Sequence, residues 1–474
     1  MVQCVLDLKG IGIIFMLVLA IGYSGPIIQP IIDRDPINTS NPRNIILMIG
    51  DGMGYNYTRL AQLVEYGITR NMTMMQLQSR LSSETFSANS EITDSAAAGT
   101  AIATGEKTNN GMISMSPNGT VLLTIQEIAH NLGKATGLVA TSYIQHATPA
   151  AFMTHVTDRG STSEISRQIV EESNVDVLLG GGFSYFSEIQ IETMELRGYS
   201  VLRNRSSLIA ANATPILGLF ANSHIDYEQN RNLETIPSLV EMTNISIELL
   251  SRNEKGFFLM VEGSRIDHAG HANDKVNAAL ETIAFDATVD LALDYVENQK
   301  NTLLIVTADH ETGGLAVIDS TISEELPQEF SDEEERRELR IERANNVTVS
   351  WSTNYHTATN VPLLANGPEF GVFENDTTID NTNIFDEMKS FYEQEVDANS
   401  ESTTTGNSGS TSTSTTETVS EEEPTETSEN NGIDANTTLE PNLLPLNLIW
   451  ALAILIPISM IITVLLLKKK YGQF

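Results

Sequence analysis

The chain predicts an α/β fold: a large, mainly parallel sheet with helices on both faces. Two patterns carry that expectation. Short runs rich in branched apolar residues, at 45–49, 136–141, 175–179, 257–261, 303–307 and 361–365, end in Gly, Asp or Glu and read as buried strands. Between them, 124–131, 163–172, 238–252 and 275–297 carry apolar residues at helical spacing. Strands buried on both faces and alternating with helices imply crossover connections in a parallel sheet. A third observation bears on function: several strands run straight into carboxylates and imidazoles, at the sheet edge where such folds gather their ligands. No internal repeat is visible.

Taken in order, residues 1–24 form a signal peptide or N-terminal apolar segment. An apolar run at 10–22 has Lys9 on its flank and the small residues Ser24 and Gly25 after it. Cys4 is the single cysteine. Once that segment is removed the protein has no thiol, so an exported chain must rest on core packing and bound metal instead of disulfides.

The body, 33–396, reads as the catalytic domain. Strand 45–49 leads into Asp51 in IGDGMG. Ser95, in TDSAAAGTA, follows Asp94 and opens a run of small residues of helical character. Its hydroxyl would sit at a helix N-terminus, where free N–H groups favour an anion; a purely capping role fits the same placement. Strand 257–261 leads into Glu262, after which SRIDHAGH sets Asp267 and His271 one helical turn apart. Strand 303–307 leads into Asp309 and His310, and His356 follows in NYHTATNVP. Mixed imidazole and carboxylate donors suit Zn²⁺, whereas oxygen donors alone suit Mg²⁺. His155 reads as a packed histidine near the site, and His130 and His224 have no motif context. The charged stretch 324–343 reads as an exposed helix laced with opposite charges.

Beyond the body, 397–442 is an acidic Ser/Thr-rich linker with ten Asp or Glu and no Lys or Arg, unable to bury enough surface to offset ordering. Residues 443–467 read as a transmembrane helix, and within them 446–467 are 22 uncharged, mostly apolar positions. The basic tail 468–474 begins with three lysines, which places the C-terminus in the cytoplasm and the body outside. Ten Asn-x-Ser/Thr sequons, at Asn38, Asn56, Asn71, Asn118, Asn204, Asn212, Asn244, Asn346, Asn375 and Asn436, suit a glycoprotein exposed there. With 27 basic against 62 acidic residues the net charge is −35, which argues against nucleic acid as a partner. Small phosphorylated substrates stay compatible, because a metal cluster inverts the local field.

From about residue 44 to 368 these motifs, in order and spacing, resemble the alkaline phosphatase family. The resemblance implies that Ser95, in Asp94-Ser95-Ala96-Ala97, is a nucleophile forming a phosphoserine. It further implies that Asp267, His271 and His356 hold a first zinc, and Asp51, Asp309 and His310 a second. Asp51 would also reach a magnesium with Thr148 and Glu262, and Arg159 would grip two phosphate oxygens. His146 and His268, expected to face substrate, stand where some bacterial members carry Asp and Lys. An imidazole in place of that carboxylate weakens the case for tight Mg²⁺. The implied reaction is hydrolysis of phosphate monoesters at the outer face of a membrane, by a chain whose family is commonly a homodimer. Two other readings share these residues. A phosphodiesterase or other hydrolase of the superfamily is disfavoured by Arg159, which would clash with a second ester, and Ser95-Ala96-Ala97 lacks the sulfatase Cys/Ser-x-Pro-x-Arg context. A non-catalytic surface protein binding metal or phosphate would need a broken site.

Overall fold

In the computed structural model the described residues are 43–299, 301–327, 329–368 and 377–405. The N-terminal apolar segment, the span expected at 443–467 and the basic tail lie outside them. Among the described residues no helix is long and apolar enough to cross a membrane.

Fourteen strands form among these residues. They are β1 (Asn44–Ile49), β2 (Ser79–Glu84), β3 (Ala135–Tyr143), β4 (Val177–Gly181), β5 (Ser200–Leu202), β6 (Ile216–Leu219) and β7 (Phe257–Glu262). There follow β8 (Thr302–Thr307), β9 (Glu311–Thr312), β10 (Ala316–Ser320), β11 (Val347–Ser350), β12 (His356–Thr357), β13 (Val361–Asn366) and β14 (Thr378–Asp380). Ten make one sheet in the order β14-β2-β13-β8-β1-β7-β3-β4-β6-β5, and β10-β11 and β12-β9 form separate ribbons.

The sheet is mixed. Seven of its nine pairings are parallel, and β13 alone runs the other way, antiparallel to both β8 and β2. The apolar run at 361–365 announced a strand without its direction, because burial on both faces looks alike either way round. β2, with Leu81 as its one large apolar residue, escapes the pattern altogether. It is held by main-chain pairing to β13 and β14 rather than by hydrophobic alternation.

All six residues of the central strand β1 are buried. Ile46 and Met48 enter one core with helices Tyr55–Tyr66, Leu239–Leu250 and Lys275–Asn298. Ile45, Leu47 and Ile49 enter the other, with helices Ser95–Thr104, Ile125–Asn131, Ala147–Met153 and Thr162–Glu171. Each such side chain contributes about 1.5–3 kcal/mol by leaving water. This two-sided demand is why the strands read as continuous apolar runs.

The helix expected over 324–343 starts later, at Glu333–Asn345, and is not simply exposed. Arg340 forks onto Glu65 at 2.7 and 2.8 Å, pinning this helix to Tyr55–Tyr66. The final helix, Thr382–Thr405, starts in the body and crosses position 397; the linker beyond 405 lies outside the described residues.

Local signals set the boundaries. Ser238 caps Leu239–Leu250 by accepting from Glu241 N–H at 3.1 Å while Glu241 Oε2 accepts from Ser238 N–H at 3.0 Å. Replacing Ser238 by Ala is expected to lower stability by about 1 kcal/mol in chemical denaturation while Ser238→Asp preserves it. Equal midpoints for Ala and wild type would remove the cap from the account.

Candidate active site

Strand register brings the site together. Ile49 of β1 is level with Glu262 of β7 on one side and Thr307 of β8 on the other. Asp51 and Asp309, each two residues beyond that level, therefore arrive side by side above Glu262. The chain turns at Gly52, whose φ is +74°. A Cβ there would lie 2.7 Å from Thr312 Oγ1 and 2.9 Å from the Asp267 Cα, so only glycine fits. Gly52 N–H donates to Asp309 Oδ1 at 3.1 Å.

Three groups of donor atoms result, each gathered within 4.8 Å: Asp267 with His271 and His356, Asp51 with Asp309 and His310, and Asp51 with His146 and Glu262. Their chemistry calls for cations. Both oxygens of Asp51, Asp309 Oδ2, Glu262 Oε1 and the Thr148 hydroxyl are buried without a hydrogen-bond partner, a costly arrangement for carboxylates unless positive charge sits among them. Burial, reinforced by the carboxylates of Asp309, Asp267 and Glu262, raises the Asp51 carboxyl well above its ordinary range. Burial likewise lifts Asp309, and pushes Glu262 up to about 7.

The imidazoles make the same point through their tautomers. His271 Nδ1–H donates to the Asn354 carbonyl at 2.7 Å, and His356 Nδ1–H to the Thr93 carbonyl at 2.8 Å. Each Nε2 is left with a lone pair, yet the two lie 3.1 Å apart and 3.3 and 3.6 Å from Asp267 Oδ1. Two such nitrogens facing each other beside a carboxylate need a positive centre between them, which either a shared proton or a metal cation supplies. Two nitrogens and an oxygen suit zinc.

Ser95 opens helix Ser95–Thr104, but the cap is Asp94, whose side chain accepts from Ala97 N–H at 3.0 Å. The capping reading of Ser95 therefore falls: its hydroxyl is free and lies 3.2 Å from His310 Nε2. His310 Nε2 also faces Asp309 Oδ2 at 3.3 Å and Asp51 Oδ1 at 3.5 Å. Asp94 has a second duty, accepting from Arg159 Nη1 at 3.0 Å. Burial alone would raise the Asp94 carboxyl, but Arg159 and the Ala97 and Gly111 N–H groups outweigh it and hold it below the usual range.

Arg159 Nη2 points at His146 Nε2, 3.4 Å away. Burial, then Arg159 and the neighbouring histidines, keep His146 far below its ordinary pKa. Burial and Arg265, which donates to His268 Nδ1 at 3.2 Å, take His268 down to about 3. Both are neutral imidazoles around neutrality. His224, without motif context in the sequence, packs against His268 with ring centroids 4.4 Å apart. Only the fold brings it there, since nothing near position 224 marks it.

His155 is more than a packed residue. Its Nδ1 lies 2.9 Å from the Ser114 carbonyl and its Nε2 3.1 Å from Glu127 Oε1. Both nitrogens face acceptors, which favours an imidazolium. Burial works against that charge, but the Glu127 carboxylate and the Ser114 carbonyl prevail and raise its pKa above 6.5. The pair anchors the segment that ends in Arg159, whose own N–H donates to the Gly111 carbonyl at 2.7 Å.

The family model described as alkaline phosphatase matches residues 42–336. Alkaline phosphatase 4 of Bacillus subtilis is 41% identical over 296 residues, which are 58% of this chain and 62% of that relative; the match thus spans under two thirds of it. A cold-active alkaline phosphatase from a Shewanella species superposes with a TM-score of 0.65 at 31% identity, covering 74% of this chain and 99% of that one. A His-to-Asp mutant of the alkaline phosphatase TAB5, with magnesium bound in its M3 site, has a TM-score of 0.60 at 30% identity, covering 74% of this chain and 98% of that one.

The charged pair beneath Arg159 has a pH signature. His155 contributes stability fully below its unfolded pKa of 6.5 and loses it as pH rises through the raised folded value. Glu127, held below 4.5, contributes above that value and loses it as pH falls through the lowered one. The stability difference between wild type and His155→Gln is therefore expected to be largest between 4.5 and 6.5 and to shrink at alkaline pH. Denaturation midpoints measured across pH test this, and a difference that stays flat would contradict the imidazolium.

Proposed function

The chain belongs to the alkaline phosphatase family, and on that premise we propose that it hydrolyses phosphate monoesters through a phosphoserine on Ser95. The observation that carries this reading is the Ser95 hydroxyl, relieved of capping by Asp94 and 3.2 Å from His310 Nε2. Near it stand the unpartnered oxygens of Asp51 and Asp309, and the Arg159 guanidinium is held by Asp94, the residue that precedes Ser95.

In the first step Ser95 Oγ attacks phosphorus in line; a P–O bond to Ser95 forms as the bond to the leaving alcohol breaks. Water then attacks the phosphoserine from the opposite side, which releases inorganic phosphate and restores Ser95. Arg159 offers two parallel N–H donors to the non-bridging oxygens, and Asp94 holds that fork at a fixed angle. His146 and His268, both neutral, add no charge to that grip, so product phosphate is held less tightly than by a lysine. The residues fit metal: zinc at Asp267, His271 and His356 and at Asp51, Asp309 and His310, and magnesium at Asp51, Thr148 and Glu262 beside His146. Divalent ions held there would supply positive charge that favours loss of the Ser95 proton to solvent and offsets charge on the leaving oxygen.

We assign the body to the outer face of a membrane, tethered through 397–442 and a helix at 443–467. Support comes from the apolar span, the lysines after it and the sequons. All seven sequon asparagines among the described residues are exposed. Small phosphorylated compounds are the proposed substrates, a homodimer is the proposed assembly, and nucleic acid is no partner.

Turnover of a chromogenic monoester and a diester by the full chain, with zinc and magnesium content determined on the same sample, tests the reading. Ser95→Ala is expected to lose roughly a thousandfold or more of monoesterase activity while keeping its metal. Preference for the diester, or activity that survives Ser95→Ala, would sink it. In the same assay His146→Asp, which replaces a nitrogen donor by oxygen, is expected to retain magnesium through dialysis better than wild type. Unchanged retention would take His146 out of the third group.

A further inference from the structure

We propose that Thr312, which lies outside the ligand set assigned above, is a positioning residue that joins the two zinc groups and fixes the proton on His310. The proposal rests on the metal-binding part of the function proposed above.

The Thr312 hydroxyl lies 2.5 Å from Asp267 Oδ1 and 3.3 Å from His310 Nδ1. A carboxylate can only accept, so the single hydroxyl proton goes to Asp267. The oxygen lone pair is then left to accept from His310 Nδ1–H. That chain, His310 to Thr312 to Asp267, determines that His310 Nε2 carries a lone pair where it faces Ser95, Asp309 and Asp51. The same hydrogen bond orients Asp267, the carboxylate of the other group. One hydroxyl thus sets a nitrogen donor in one group and an oxygen donor in the next.

The rest of the residue is tied as firmly. Thr312 is fully buried. Its N–H donates to the Gly52 carbonyl at 3.1 Å, next to Asp51, and its carbonyl accepts from the Tyr57 hydroxyl at 2.6 Å. In the ribbon β9-β12 it pairs with His356. Two glycines make room for it: a Cβ on Gly52 would meet its hydroxyl at 2.7 Å, and one on Gly270 its methyl at 2.9 Å. Segments carrying Asp51, Asp267, His310 and His356 all meet at this residue, through its side chain and its main chain. Ordering the donors of one group therefore orders those of the other, and the two sites are expected to fill cooperatively.

Zinc titration of the metal-stripped full chain, by calorimetry with chelator competition, tests this on wild type, Thr312→Val and Thr312→Ser. Valine keeps the shape and loses the hydroxyl; serine keeps the hydroxyl and loses the methyl. Thr312→Val is expected to weaken zinc binding by roughly ten- to a hundredfold and to separate the two binding steps, while Thr312→Ser stays near wild type. Wild-type affinity in Thr312→Val, or equal loss in both variants, would overturn the proposal in favour of simple packing. Wild type that binds no zinc would remove the metal centre itself and this role with it. Nitrogen-15 spectra of the labelled, metal-stripped wild type give a second readout that needs no variant. They are expected to show His310 protonated on Nδ1, and protonation on Nε2 would equally overturn the assignment.

Discussion

Buried negative charge is the constraint around which this molecule is organised. Asp51, Asp309 and Glu262 are fully buried at one sheet edge, and Asp267 is nearly so. Four carboxylates in a low-dielectric interior are tenable only where cations, N–H groups or hydroxyls meet their oxygens. The backbone supplies part of this through Gly52 and the His310 N–H on Asp309 Oδ1. Ser264, Ser142 and Thr312 supply more from side chains. What remains unpartnered is concentrated on the oxygens that converge in three groups.

The sheet makes that concentration reproducible. Parallel strands in register end at a common level, so residues at equal distances past Ile49, Glu262 and Thr307 become neighbours despite large separations in sequence. Arg159 belongs to the same design. It balances Asp94, which in turn releases Ser95 from the helix cap. Electrostatics and local helix geometry are satisfied by one carboxylate, leaving the hydroxyl available for chemistry.

Much of this was legible in the sequence, for a physical reason. Strands buried on both faces must be apolar along their whole length, which is why β1, β3, β7, β8 and β13 stand out, and Thr124 and Ser238 mark helix starts through their capping boxes. The direction of β13 was not legible, nor was β2, since a polar strand held by main-chain pairing leaves no hydrophobic trace. The donors and Ser95 were legible because they sit at strand and helix ends in short dense motifs. Thr312, Arg265 and His224 were not, because their importance lies in what they touch. The charge on His155 depends on Ser114 and Glu127, both distant in sequence, and Glu127 also closes the helix cap at Thr124.

The wide sequence spacing of the donors also governs how the protein comes into being. His356 lies 85 positions after His271, with which it shares a group, and β12 must pair with β9 to hold it there. A chain emerging from the ribosome displays the Asp51 strand early but cannot complete this group until His356 has followed. Of the three groups this one is completed last, after the donors at Glu262 and His310 have already been made. A chain that stops before His356 lacks one nitrogen donor of the group around Asp267, while the other two groups keep all of theirs.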